Sequence, residues 1–441
     1  MGKQVIDDEP CVLIERSDAA DGSRSLMKIV IATSLLNGLE LFDFSVFGLF
    51  AAMIGDQFFP SVDPMTSLLF AVATFGVGFL FRPVGAIVIG AYADRAGRRR
   101  ALLATSWMAT LGTAAIVLCP PYAALGVAAP LIVVLARVLQ GLAIGGEMGA
   151  AAALVVEAAS PAVRGRAIGS QLAGNALAPL LGASLGSLLG SILSPEQLTA
   201  WGWRVAFAFA LPLLAVGYYL RRQFLANDAP RAHTASYAVR RRPGRLARHH
   251  IRTLILATLS TSFSTVSFYS IVYYMPAWLN RVMHKNVVTG FLSTAFSGLL
   301  IMMLAPPSGW LADRLPRRKP LVIAVAAVLA AVIPPIFYLI IHTGTATILL
   351  AGVACITALV AVGGCVVNVL ILEAWPQHVR ASGYGIGYAV GTALFGGTAQ
   401  LVVTALVNWS GNPMAVAWYA TPCCLLSVGA LLCFKEERAD A

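Results

Sequence analysis

Apolar runs of twenty or more residues follow one another along nearly the whole chain, and no other property narrows the fold so far. A helix crossing about 30 Å of hydrocarbon needs about 20 such residues. Lipid offers no partner for backbone amides, so each run must satisfy its own hydrogen bonds as a helix. Of the 441 residues, 58% are hydrophobic and 12% charged, whereas a soluble domain carries roughly 25% charged residues. These figures exclude a soluble enzyme and a disordered chain. They leave an all-α membrane protein.

Reading the runs against the polar breaks predicts twelve spans. The first six lie near 27–55, 66–93, 101–119, 128–155, 165–192 and 203–222, the second six near 252–279, 287–311, 320–342, 346–373, 381–408 and 414–434. Residues 1–26 read as a polar tail, because a secretory signal would open with a basic stretch and a short apolar core. The stretch 223–251 carries Arg231, Arg240, Arg241, Arg242, Arg245 and Arg248 and reads as a basic linker between a half at 27–222 and a half at 252–434. Residues 435–441 form a short tail.

The formal net charge is +11, but apart from Arg82, Arg137, Arg204, Arg281 and Lys285 the cations fall in the termini and in alternate loops. That is the positive-inside pattern rather than the footprint of a nucleic-acid surface. With an even number of spans it predicts that both termini are cytoplasmic. The seven cysteines show no C-x-x-C and no histidine at metal-site spacing, so neither metal nor cofactor is expected. An enzyme would also need a clustered nucleophile–base set within the membrane, and none is legible.

Two motifs recur at almost one offset. Gly90-Ala-Tyr-Ala-Asp94-Arg95-Ala-Gly97-Arg98-Arg99-Arg100 returns 219 residues later as Gly309-Trp-Leu-Ala-Asp313-Arg314-Leu-Pro316-Arg317-Arg318-Lys319. Glu157…Arg164 returns 216 residues later as Glu373…Arg380. The chain therefore reads as a six-helix unit written twice. The duplicated G-x-x-x-D-R-x-G-R-R loop resembles the signature of the major facilitator superfamily, with Pro316 standing where the first copy has Gly97. Gly90, Asp94, Arg95, Arg98, Glu157, Arg164, Asp313, Arg314, Glu373 and Arg380 are expected to form a cytoplasmic gate, their carboxylates and guanidiniums locking the two halves together.

Carboxylates inside an apolar run are costly and face a protein or aqueous interior. Glu40 and Asp43, three apart, share a helix face in the first span. In the fourth, Arg137, Gln140 and Glu147 share another at offsets of 3, 7 and 10. Arg137 lies near the midplane, and Asp43 is its economical counter-ion. Asp43, Glu40, Arg137 and Glu147 are the expected proton-coupling set. Asp43 would stay ionised beside the arginine and take up a proton once the arginine turns away, an arrangement that resembles proton-coupled sugar porters. Gly141, Gly145 and Gly149, at four-residue spacing, predict a close helix approach.

Arg82, Arg137 and Arg204 are expected to meet an anionic substrate, because a guanidinium fork matches a carboxylate. Polar stripes on three other spans predict a hydrated cavity: Ser262, Thr265, Tyr269 and Tyr273; Tyr384, Tyr388 and Thr392; Gln171 and Asn175. Gln140, Gln171, Asn175, Tyr269, Tyr273 and Tyr388 are the expected polar contacts.

Taken together, Glu40-Leu-Phe-Asp43-Phe, Arg82-Pro83-Val-Gly85, Gln140-Gly…Gly146-Glu147 and Trp201-Gly-Trp-Arg204 resemble the metabolite:proton symporter family. Phe395-Gly396-Gly397 is similar to its carboxylate-transporting members, while Pro179 departs from the pattern. The resemblance implies proton symport of an organic acid such as citrate, 2-oxoglutarate or shikimate, or of a zwitterion such as proline or betaine. Three arginines favour the anion, and a di- or tricarboxylate is expected. The expected partners are that acid, protons and the lipid bilayer; the expected setting is a monomer in a bacterial inner membrane.

Overall fold

The computed structural model describes residues 34–35, 37–158, 163–227, 250–376 and 380–436. The predicted tail at 1–26, most of the linker and residues 437–441 lie outside them. Among the described residues there is no strand, and eleven helices are long and apolar enough to cross a membrane. Helical segments within 37–58 supply one further span.

The first six are α1 (Phe42–Leu49 and Ala51–Phe58), α2 (Pro64–Leu80 and Arg82–Ala96), α3 (Arg98–Leu118), α4 (Ala128–Ala158), α5 (Arg164–Ile192) and α6 (Trp203–Asn227). The second six are α7 (Ile251–Ser260, Ser262–Ser267 and Phe268–Tyr273), α8 (Val287–Arg314), α9 (Lys319–Thr343), α10 (Ala346–Glu373), α11 (Arg380–Gly391, Thr392–Gly396 and Ala399–Ser410) and α12 (Ala415–Cys433). One buried apolar cluster centres on each set.

Local chemistry sets the boundaries. Asp63 caps α2, its carboxylate accepting from the Thr66 hydroxyl at 2.7 Å and from the amides of Met65 and Thr66 at 3.1 and 3.0 Å. These bonds, the Thr66 hydroxyl first, hold Asp63 below the usual carboxylate range. The seventh span ends at Tyr273, short of the expected 279, because Pro276 lacks an amide and opens a separate short helix at Met275–Arg281. α2 breaks at Phe81, just ahead of Arg82-Pro83, for the same reason.

The duplicated loops are not copies in shape. Gly97 turns at φ +92° and joins α2 to α3 by itself. Proline is locked near φ −65° and cannot make that turn. The second loop uses four non-helical residues, 315–318, instead. Beyond it, the Glu436 carboxylate accepts from the Arg318 amide at 2.6 Å at the start of α9.

Small residues decide which helices meet. A Cβ on Gly141 would collide with the Gly78 carbonyl, one on Gly145 with the Arg82 carbonyl, and one on Gly85 with the Leu142 carbonyl. These glycines bring α2 and α4 to backbone contact, as the glycine spacing predicts. Across the halves, Gly165 of α5 and Gly309 of α8 approach each other as closely.

Candidate functional site

Between the halves lies a cavity of about 160 Å³. Among the described residues, Arg82 is the one formally charged side chain lining it. The break at Phe81 puts Arg82 at a helix start, where its guanidinium packs on Phe79 (3.9 Å from Cζ to ring centroid) and Phe44 (4.4 Å). Arg82 is 4% exposed, and its Nε has no hydrogen-bond partner in the protein. Tyr269, Tyr273 and Tyr388 stand around it.

Two of these tyrosines come from a π-type turn, Phe268–Tyr273, whose wider winding brings Tyr269 and Tyr273 within 5.3 Å of each other. A second such turn, Thr392–Gly396, follows Tyr388. Such turns interrupt α-helices frequently at functional sites, and hydropathy carries no sign of them. The polar lining is tied together within each half and, through Tyr273 and Ser45, across them. The Tyr273 hydroxyl and Ser45 Oγ share a hydrogen bond of 2.7 Å, and the Tyr384 hydroxyl donates to Asn368 Oδ1 at 3.0 Å. Asn37 Nδ2 donates to Asn175 Oδ1 at 2.8 Å.

Behind the Phe44 wall, Asp43 occupies a separate compartment. Its carboxylate accepts from the Thr113 hydroxyl (2.6 Å), the Gln140 amide nitrogen (2.7 Å) and the Phe44 amide (2.6 Å). Arg137 does not pair with it directly, contrary to expectation. Gln140 stands between them, its Oε1 accepting from Arg137 Nη1 at 2.6 Å while its amide nitrogen donates to Asp43. Arg137 is fully buried, and its Nε and Nη2 have no hydrogen-bond partner. Rings take their place: the Arg137 Cζ lies 4.1 Å from the Phe44 centroid, 4.4 Å from Phe47 and 5.4 Å from Phe75. Glu40, Asp43, Gln140 and Glu147 line a void of about 10 Å³, the lower limit for one water molecule.

The structure thus brings Arg82, Gln171, Asn175, Tyr269, Tyr273 and Tyr388 to one cavity and gathers Glu40, Asp43, Arg137 and Glu147, with Gln140, behind it. Three expected substrate contacts fall elsewhere. Arg137 and Gln140 belong to the Asp43 network, since Phe44 fills the space toward the cavity. Arg204 lies at the opposite end of its span, donating to the carbonyls of Ala200 (2.8 Å) and Cys119 (3.0 Å) and packing on Trp203. Ser262 leaves its stripe as well, bonding the Cys423 carbonyl at 2.8 Å. Asn37, Ser45, Phe44 and Asn368 line the cavity without having been predicted; Asn37, Leu41, Phe44 and Ser45 share the face of the first span turned away from Asp43, and their i, i+4, i+7, i+8 spacing was the available signal.

At the end carrying the duplicated loops, Asp313 binds the start of α5. It accepts from the Gly165 amide at 2.6 Å, from the Arg166 amide at 3.1 Å and from Arg166 Nε at 3.3 Å. A helix N-terminus attracts a carboxylate through its free amides and dipole, so the partner is backbone as much as arginine. Glu373 meets Arg164 across the halves at 3.7 Å and also pairs with Arg318. Arg314 lies over Trp310 instead, and Arg380 donates to the Trp375 carbonyl at 3.1 Å. A Cβ on Gly90 would meet open space, unlike one on its counterpart Gly309. Arg95 is exposed. The side chains of Asp94, Arg98 and Glu157 lie outside what is described. At the opposite end Arg281 pairs with Asp56 and joins α1 to the segment after α7.

The Major Facilitator Superfamily model matches residues 33–399. The citrate–proton symporter of Klebsiella pneumoniae is 30% identical over 406 residues, covering 91% of this chain and 90% of that protein. The shikimate transporter of Escherichia coli (strain K12) is 32% identical over 419 residues, covering 91% and 92%. In three dimensions the chain resembles the xylose transporter XylE from E. coli in its partially occluded inward-open conformation. The TM-score is 0.74 at 15% identity, over 95% of this chain and 99% of that one.

Proposed function

Because the chain belongs to the Major Facilitator Superfamily, within its metabolite:proton symporters, we propose that it imports a small organic acid together with protons, by alternating access across a bacterial inner membrane. One observation carries this reading. A cavity whose single formal charge among the described residues is a guanidinium backs onto a separate, carboxylate-lined compartment, with Phe44 and Ile144 as the wall between.

Arg82 receives the substrate carboxylate, since its Nε is buried without a partner and a carboxylate can accept from the fork. The tyrosine hydroxyls and the amides of Gln171, Asn175 and Asn368 bond the rest of the molecule. Asp43 carries the proton. Ionised, it is held by three donors; protonated, it leaves Arg137 without a compensating charge. Glu40 and Glu147, on the same void, hand protons between Asp43 and the loop end. Asp313, Glu373 and Arg164 close the cytoplasmic end, with both termini on that side in keeping with the basic loops. One chain holds every one of these parts, which supports action as a monomer.

The expectation of a di- or tricarboxylate such as citrate or 2-oxoglutarate rested on three arginines, and only Arg82 lines the cavity. One guanidinium and one buried proton carrier suit a single carboxylate, which one proton carries in without moving net charge. Moving one charge against the potential costs about 2.3 kcal/mol per 100 mV. A zwitterion such as betaine is the second reading, favoured by the Tyr269–Tyr273 and Tyr384–Tyr388 ring pairs that an ammonium could face.

The test is uptake into proteoliposomes under an imposed inward proton gradient, comparing labelled citrate, 2-oxoglutarate, shikimate and betaine with a protonophore control. Protonophore-sensitive accumulation of an acid is expected. Accumulation of betaine alone would replace the first reading with the second, and leakage of all four regardless of the gradient would contradict both.

A further inference from the structure

We infer that Phe44 is the residue through which the substrate site and the proton site sense each other, a role that rests on the assignments of Arg82 and Asp43 made above. Phe44 touches both sites at once. Its ring is the one aromatic surface that the two buried guanidiniums have in common among the described residues: Arg82 Cζ lies 4.4 Å from its centroid and Arg137 Cζ 4.1 Å. Its backbone amide donates to Asp43 Oδ1 at 2.6 Å. The ring is 3% exposed and fixed by Phe75 and Phe79, each with its centroid 4.9 Å away. Gly78 opens the space it fills, for a Cβ there would lie 3.0 Å from Phe44 Cε2 and 3.6 Å from Arg137 Nη2.

The physics follows from charge. With Asp43 ionised, the Asp43–Gln140–Arg137 chain is neutral and Arg82 is a lone cation. With Asp43 protonated, the two guanidiniums that share the ring lose the carboxylate bonded to Arg137 through Gln140. The ring quadrupole attracts each cation and holds both guanidiniums within 4.4 Å of one centre, so that their mutual repulsion acts at short range in a low-dielectric interior. An anion arriving at Arg82 relieves that repulsion, so a proton on Asp43 tightens anion binding, and by linkage an anion on Arg82 favours the proton. The other charged or titratable groups around Asp43 are Glu40, three residues before it on the first span, and Glu147 on α4, with Tyr273 reaching the opposite face of α1 through Ser45. From α3 and α6 the facing groups are uncharged: Thr113, Ser106 and Leu214.

The experiment measures binding of whichever of citrate, 2-oxoglutarate and shikimate the wild-type protein accumulates, by calorimetry in detergent between pH 5.5 and 8.5. Counterflow and gradient-driven accumulation are measured in parallel. Wild type is expected to bind at least ~5-fold more tightly at the acid end, the lower bound of ordinary site-to-site coupling. Phe44→Tyr keeps the ring and should keep that pH dependence. Phe44→Leu keeps the bulk but not the ring; whatever its absolute affinity, binding should vary less than ~2-fold over the range, and the gradient should no longer drive accumulation.

Phe44→Leu with the full wild-type pH dependence would overturn the proposal. So would loss of binding at every pH in a folded Phe44→Leu protein, which would make the ring part of the substrate's seat. Should Phe44→Leu not fold, Phe44→Met serves with the same two outcomes. Failure of the underlying reading looks different: an Asp43→Asn protein that still shows the wild-type pH dependence would remove Asp43 as the proton carrier whatever Phe44 does.

Discussion

Arg82 and Arg204 are the same side chain in opposite circumstances, and exchanging each shows what the cavity asks for. Arg82 offers a buried guanidinium stacked on two rings with its Nε unpartnered, and an ammonium can neither stack there nor bond in parallel. Losing a charge-assisted hydrogen bond costs about 1.5–3 kcal/mol, so Arg82→Lys should raise KM for the transported substrate roughly 10- to 100-fold. Arg204 is already satisfied by two carbonyls and an indole, at the opposite end of its span. Arg204→Ala should leave KM within about 2-fold. Initial-rate uptake at varied substrate concentration checks both. If Arg204→Ala raised KM as far as Arg82→Lys, the cavity would have been misplaced.

Elements carry the precision of the site, and one pair of glycines tests this. Gly145 has no room for a side chain because the Arg82 carbonyl lies against it. Gly145→Ala forces α2 and α4 apart, an overpacking that costs about 1–3 kcal/mol and displaces Arg82 itself. Its melting temperature in detergent should fall by several degrees, with uptake lost before folding is. Gly90 has open space, so Gly90→Ala should change stability by less than about 0.5 kcal/mol. Equal losses in the two variants would mean that the helix contact does not set the site.

Elements are also where the sequence was most and least legible. Hydropathy and charge placed the spans, because lipid permits little else over such runs. Helical periodicity put Gln140 and Glu147 on the face that lines the Asp43 void, and Tyr384 and Tyr388 on the face that lines the cavity. Periodicity names a face but not the neighbour opposite, so it could not see Gln140 inserted between Asp43 and Arg137, nor Phe44 closing Arg137 off from the cavity. The π-type turn at Phe268–Tyr273 escaped for a related reason: it rotates Tyr269 and Tyr273 relative to Ser262, which ordinary helical spacing had left on one stripe. Asp313 reads as a partner for arginine in a one-dimensional motif, yet it binds the amides that begin α5.

At the scale of the molecule, contacts bridge the halves at both ends. Asp313 and Glu373 reach the start of α5 at one end, and Arg281 meets Asp56 at the other. The second pair is partly exposed, with side chains at 19% and 32%. Such pairs are worth about 0.2–1 kcal/mol, enough to tilt an equilibrium but not to lock it, which suits a transporter that must open at each end in turn. Arg281→Gln should therefore shift the population toward states open at that end. Spin labels at Val62 and Lys285 would report longer distances in the variant, and an unchanged distribution would deny the pair any gating role.

The claim on which the account turns is that Asp43 couples transport to the proton without seating the substrate. Wild-type and Asp43→Asn proteins in proteoliposomes, assayed for accumulation under an inward proton gradient and for counterflow without one, test it most directly. The account predicts that Asp43→Asn loses accumulation while counterflow continues. Accumulation at the wild-type level, or loss of both activities in a folded protein, would contradict it.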